Sequence, residues 1–228
     1  MKMLRYVIIG IWSLCFAGGA MAIEEPKYTV IEKSSGSNNI ELRAYEAKII
    51  AEVTVSGTMD EAGSKGFKLI ADYIFGNNTT TAGANKTISM TAPVAMKPAS
   101  QKISMTAPVT LQAEPEQETE GKGESAQEAT TENKQWRMHF VMPSEYSLET
   151  LPKPNNPAVT LREIPAKNYA AIRFSGFTGE KKVAKKTEEL ITWLEGKGIL
   201  ATGEPELARY NPPWTLPFWR RNEIIIAY

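Results

Sequence analysis

Residues 40–57 (IELRAYEAKIIAEVTVSG) align without a gap on residues 159–176 (VTLREIPAKNYAAIRFSG), 119 positions further on. Leu42/Leu161, Arg43/Arg162, Ala47/Ala166, Lys48/Lys167, Ala51/Ala170, Ser56/Ser175 and Gly57/Gly176 are identical, and Ile40/Val159, Val53/Ile172 and Val55/Phe174 keep apolar character. Each unit holds two short alternating or apolar runs, the signature of strands. A chain that writes one strand-forming unit twice is confined to folds with two equivalent halves.

Each unit runs on into a helical pattern. In the first, Thr58 and Glu61 have capping-box spacing, Phe67, Ile70, Ala71 and Ile74 mark one face, and Gly76 ends it. In the second, Val183, Ala184, Thr187, Leu190, Ile191 and Leu194 form the stripe, with Gly196 and Gly198 at its end. The lysines and glutamates between them read as the solvated face. Strands follow each helix: the segments around Ile88–Val94, Ile103–Val109 and Trp136–Met142 in the first half, Leu207–Tyr210 and Glu223–Tyr228 in the second. The expected architecture is α+β. Two β-α-β-β units related by a pseudo-twofold join into a distorted antiparallel β-barrel, or a bent sheet, with two flanking helices.

The heptapeptide Ile-Ser-Met-Thr-Ala-Pro-Val occurs at Ile88–Val94 and again at Ile103–Val109. It fits a local hairpin, with Met90 and Met105 on one face of adjacent strands and Lys97-Pro98-Ala99-Ser100 as the turn. Pro93 and Pro108 lack a donor and belong at a strand edge, bulge or end.

Residues 1–22 read as an export signal. Lys2 and Arg5 precede an apolar run from Val7 to Phe16, and Ala20-Met21-Ala22 is a small-x-small cleavage site before Ile23. That run is shorter than the roughly 20 residues a membrane span needs. Cys15 follows Leu14 without the small residue of a lipidation site and leaves with the signal. The mature chain, 23–228, is then an exported, periplasmic or secreted protein without disulfides, held by its core, with no stable membrane span. It reads as one domain interrupted by an acidic insert at about 113–134. Seven glutamates lie between Glu114 and Glu132, with no aromatic or branched aliphatic residue, a composition that cannot offset the entropy of ordering. The whole chain carries 26 basic and 26 acidic residues, which gives no sign of nucleic-acid binding.

Few side chains suggest chemistry. His139 is the only histidine; Trp136, Met138, Phe140 and Met142 alternate as an apolar face, so it points the other way with Arg137 and Val141. One histidine and no mature cysteine exclude the usual zinc cages, and no nucleophile elbow accompanies it. It is an ordinary strand histidine or an axial haem ligand. Met90, Met96, Met105, Met138 and Met142 suit either core filling or the wall of a flat aromatic ligand. The densest cluster is Tyr210-Asn211-Pro212-Pro213-Trp214-Thr215-Leu216-Pro217-Phe218-Trp219-Arg220-Arg221-Asn222-Glu223. Its prolines make an ordered, non-helical loop. Its aromatic faces and guanidinium forks suit a planar dicarboxylate, or else plug the barrel, with Arg221 and Glu223 tied internally.

Ile-x-Met-Thr-x-Pro-Val, then Trp136, Phe140 and Pro143 in one strand, then Tyr-x-x-Pro followed by Arg220-Arg221-Asn222-Glu223, resembles the SOUL haem-binding protein family, from about Tyr28 to Tyr228. The resemblance implies a distorted barrel built from a duplicated motif. It also implies binding of haem or another porphyrin between the first helix, Thr58–Phe75, and the loop Tyr210–Arg220, largely through apolar contacts. Phe67, Tyr210, Trp214, Phe218 and Trp219 would meet the ring, and Lys65, Lys68 or Arg220 its propionates. A histidine ligand reported for some members has no counterpart in the N-terminal half. The implied partner is a small tetrapyrrole. A domain for another amphipathic small molecule, or an interaction module without haem, is the alternative. No acid–base pair suggests an enzyme.

Overall fold

The computed structural model describes residues 23–36, 39–99 and 134–228. Residues 1–22, expected to be an export signal, the second heptapeptide and nearly all of the acidic insert lie outside them. In chain order the elements are β1 (Tyr28–Lys33), β2 (Ile40–Tyr45), β3 (Lys48–Ser56), α1 (Met59–Ile74), β4 (Asn78–Thr79), β5 (Val94–Pro98), β6 (Gln135–Val141), β7 (Lys153–Pro154), β8 (Thr160–Ile164), β9 (Lys167–Phe174), α2 (Glu180–Gly196), β10 (Glu206–Arg209) and β11 (Asn222–Ala227). A 3-10 turn, Pro217–Trp219, precedes β11.

Nine strands form one antiparallel sheet in the order β1-β2-β9-β11-β10-β5-β6-β3-β8, and β4 and β7 pair separately. The sheet curls strongly into a half-barrel. It does not close, since β1 and β8 end the order. Exchanging β2 with β8, β3 with β9, β5 with β10 and β6 with β11 reverses the order of those eight strands and leaves it otherwise unchanged. The registers obey the same exchange. Arg43 faces Tyr169 across β2–β9, Ile50 faces Arg162 across β3–β8, and the 119-residue offset converts one pair into the other. Gly57 and Gly176, equivalent positions, both turn the chain from strand towards helix with positive φ, +133° and +95°. Even their carbonyls are capped alike, Gly57 by Trp136 Nε1 at 3.0 Å and Gly176 by Asn222 Nδ2 at 2.9 Å.

α1 packs on β3 and β6, and α2 on β9 and β11. One buried cluster joins the halves, with Ile70, Ile74, Phe140, Ile172, Leu190, Leu194 and Ile224 all at or below 1% exposure. Each such side chain contributes roughly 1.5–3 kcal/mol by leaving water.

Thr58 and Glu61 make the expected capping box. The buried face of α1 keeps Ile70, Ala71 and Ile74 of the expected stripe and extends through Ala62, Gly63, Gly66 and Tyr73, while Phe67 sits at its edge, 38% exposed. Glycine at 66 is required by close approach: a Cβ there would lie 3.2 Å from that of Met138 and 2.9 Å from its sulfur.

The heptapeptide also differs. Only Val94 of the first copy belongs to a strand. From Ile88 to Pro93 the chain bonds elsewhere: Ile88 N–H donates to Ile74 at the end of α1, Ala92 N–H to Glu24, and the Thr91 hydroxyl to Val141. Lys97 and Pro98, expected in a turn, end β5. β5 is flanked on both edges, by β6 and by β10; the second copy, Ile103–Val109, lies outside the described residues.

Candidate functional site

The C-terminal segment divides sharply. Its second part is built into the body. Glu223, fully buried, accepts from Arg43 Nη1 at 2.7 Å and Nη2 at 3.1 Å, Tyr210 Oη at 2.8 Å and Arg221 Nε at 3.0 Å. Arg43 also donates to Tyr45 and Glu41, and its guanidinium lies 4.5 Å from the Tyr28 ring centroid. Arg221 stacks on Tyr210 at 3.7 Å and reaches Glu25. Burial alone would raise the Glu223 pKa, but bonds and charge from Arg43, with Arg221 and Tyr210, hold it below the ordinary carboxylate value. Burial, joined by the Glu223 charge, pushes the Tyr210 hydroxyl far up. Tyr210, expected to meet the ring, is therefore occupied in this network.

The first part is held in place yet leaves its aromatic faces open. Tyr210 N–H donates to Arg221 O at 3.1 Å and closes the loop base; Gly176 N–H donates to Pro217 O at 2.8 Å. Arg220 Nε donates to Thr215 O at 2.8 Å, its Nη2 to Pro213 O, and its guanidinium lies 5.4 Å from the Phe177 ring centroid. Arg220 thus braces the loop from within. Trp214, Phe218 and Trp219 remain 82%, 64% and 70% exposed; Leu216 in the same loop and Phe177, against Arg220, are also exposed. Phe218 and Trp219 pack edge to face at 5.2 Å. Phe177 was not singled out by sequence; it follows Gly176, the repeat's turn, and that neighbourhood is its only signal.

On α1, Lys65 reaches back to Ser56 O at 3.5 Å, Lys68 is exposed, and the Phe67 ring lies 5.4 Å from that of Phe140. The link between helix and loop runs through Arg209, a residue the sequence reading passed over. It ends β10 with its side chain on the helix side of the sheet, where a Cβ on Gly63 would lie 3.6 Å from Nη1. Its Nε and Nη2 are buried and meet no hydrogen-bond partner among the described residues. Burial lowers its pKa below the usual arginine value; Asp60 opposes this and Arg220 adds to it. The available signal was its spacing of two from Leu207, which puts a cation on the apolar face.

His139 lies on the opposite face, between Ala95 and Glu52 in register, and is 3% exposed. Its Nε2 is 3.9 Å from Glu206, which pairs with Lys97 at 2.6 Å. Burial, helped by Lys48 and Lys97 and opposed by Glu206 and Glu52, pushes its pKa down to about 4. It is a neutral, enclosed side chain on the face of the sheet opposite Met138.

A cavity of about 530 Å³ opens elsewhere, among Glu24–Lys27, Glu46–Ile49 and Met142–Glu149. Its lining has Glu24, Glu25, Glu46, Glu149 and Glu163 against Lys27 and Lys48, which repels a dicarboxylate, and it has none of the expected binding residues. A second, of about 400 Å³, borders Tyr28, Arg43 and Arg221. The loop is instead an open aromatic platform.

Fold and loop together define a half-barrel that presents aromatic rings beside buried cations. The model of the family described as SOUL heme-binding protein matches residues 23–101 and 95–227. The chain belongs to the SOUL haem-binding family. No curated protein sequence matches it significantly. Among solved structures it is similar to the EcmrR C-terminal domain, with 13% identity, 84% of this chain and 98% of that one covered, and a TM-score of 0.53. It is also similar to an uncharacterized conserved protein from Listeria innocua, with 12% identity, coverage of 82% and 90%, and a TM-score of 0.55. At such identities the likeness is one of fold. Among the described residues no helix is long and apolar enough to cross a membrane.

Proposed function

We propose that this protein is exported to the cell envelope, periplasmic or secreted, and there binds haem or a related tetrapyrrole without reacting it. The observation that carries the reading is the exposure of Trp214, Phe218 and Trp219 on a loop fixed at its base, at Pro217 and through Arg220. Three large rings left open on a pinned loop form a ready surface, and binding there orders little that is not already ordered. The ring system would lie on these side chains, with Phe177 beside them. The family supports haem binding in general, and the chemistry of the loop supports its place in this chain.

Titration of the mature protein with haemin tests the reading. A shifted Soret band that saturates is expected. Trp214→Ala with Trp219→Ala should weaken binding about 30-fold or more, as the loss of anchor residues does, whereas His139→Gln should change it little. A titration indistinguishable from free haemin would sink the proposal.

A further inference from the structure

Arginine side chains in this fold bind carboxylates by a recognisable edge. Arg162 grips Glu52 side-on, through Nε at 3.2 Å and Nη2 at 2.8 Å. Arg43 reaches Glu41 through Nε and Glu223 through both terminal nitrogens. Arg209 turns the same Nε–Nη2 edge inward, buried, with no acceptor for it among the described residues. An unpaired buried guanidinium edge is strongly unfavourable, and structures keep such groups where a ligand or strain explains them. Gly63 leaves room for the guanidinium against α1, with Met96 Sδ alongside. The residue stands at the base of the aromatic loop, next to the Tyr210–Arg221 bond that closes it.

Two of the other cations expected near a ligand are already engaged. Arg220 donates Nε and Nη2 to carbonyls of its own loop, and Lys65 approaches the Ser56 carbonyl at the start of α1.

We infer that Arg209 is the carboxylate anchor of this site: it takes one acid group of a planar amphipathic ligand side-on, through Nε and Nη2, where α1 meets the C-terminal loop. The inference rests on the loop being the ligand platform, and it assigns the acid end of the ligand to a residue outside the loop. Both nitrogens are closed from solvent, so covering side chains move aside as the acid enters. A neutral ester of the same ring gains nothing from the arginine.

Two measurements decide it. In the first, haemin and haemin dimethyl ester are titrated into wild type and Arg209→Met, and urea unfolding of both proteins is followed without ligand. The expected result is a loss of about 10-fold for haemin, in the range of one charge-assisted bond, no change for the ester, and a urea midpoint that holds or rises. An equal loss for both ligands, no loss for either, or a fall in the midpoint overturns the assignment, the last because it marks a structural arginine. In the second, the Nε–Hε signal of Arg209 in wild type is followed by NMR with 2-naphthoate and with its methyl ester. A shift with the acid alone supports the anchor, and no shift with the acid overturns it. If wild type binds neither tetrapyrrole, the platform reading fails, and the naphthoate experiment still decides Arg209.

Discussion

The β10–β11 hairpin buries charge on both of its faces, and the two faces treat it in opposite ways. On one, Glu223 is met by Arg43, Arg221 and Tyr210, with four bonds between 2.7 and 3.1 Å. On the other, Arg209, opposite Asn222 in register, presents an edge with no hydrogen-bond partner among the described residues. The contrast separates two roles within one short stretch of chain. Where polar groups saturate one another, the motif is architecture; where they and the neighbouring rings are left open, they offer the surface proposed for the ligand. Arg221-Asn222-Glu223 belongs to the first kind, and Trp214, Phe218, Trp219 and Arg209 to the second.

The largest effect should come from breaking the saturated side. Glu223→Gln removes the buried counter-charge of Arg43, leaving only the partly exposed Glu41, and should cost about 3 kcal/mol, read as a drop in urea midpoint. Next is another buried polar group of the sheet, His139. Unfolded, it takes a proton near pH 6.5; folded, only near pH 4. Between those values the unfolded chain binds more protons, so stability is full above about pH 6.5 and falls as the pH drops through this window. The fall is on the order of 3 kcal/mol. His139→Gln should flatten that part of the stability–pH curve while leaving haemin affinity nearly unchanged. Thr58→Ala removes half of the capping box and should cost about 1 kcal/mol. Arg162→Gln breaks a half-exposed pair with Glu52 and should cost less than about 1 kcal/mol, shrinking with added salt. On the open side, Trp214→Ala with Trp219→Ala should leave stability within about 0.5 kcal/mol, since those rings contribute little to the core.

The sequence repeat located the halves and their helices because that information is local and written twice. The two strands of each unit, the Thr58–Glu61 cap and the turns at Gly57 and Gly176 all follow from neighbouring residues. The alternation of Trp136, Met138 and Phe140 also placed His139 on the far face correctly. The heptapeptide misled because its donors serve distant groups, Ile74 and Glu24, that no local pattern reveals. The first half of the α1 face was hidden because Gly63 and Gly66 carry no apolar side chain, yet pack closely. The division of the C-terminal segment depends on Arg43 meeting Glu223 across 180 residues, a pairing visible only once β2, β9 and β11 lie side by side. Arg209 was hidden for the same reason: its significance is the partner that the surrounding strands do not supply.

The exposed rings are proposed to bind a tetrapyrrole while contributing little to the fold, and one experiment can separate the two properties. Absorption titration with haemin, run on wild type and on the Trp214→Ala/Trp219→Ala protein, with urea unfolding of both, does so most directly. The expected result is saturable binding by wild type, affinity lower by about 30-fold or more in the variant, and matching urea midpoints. Equal haemin affinity in the two proteins, or a variant that loses stability in step with binding, would contradict it.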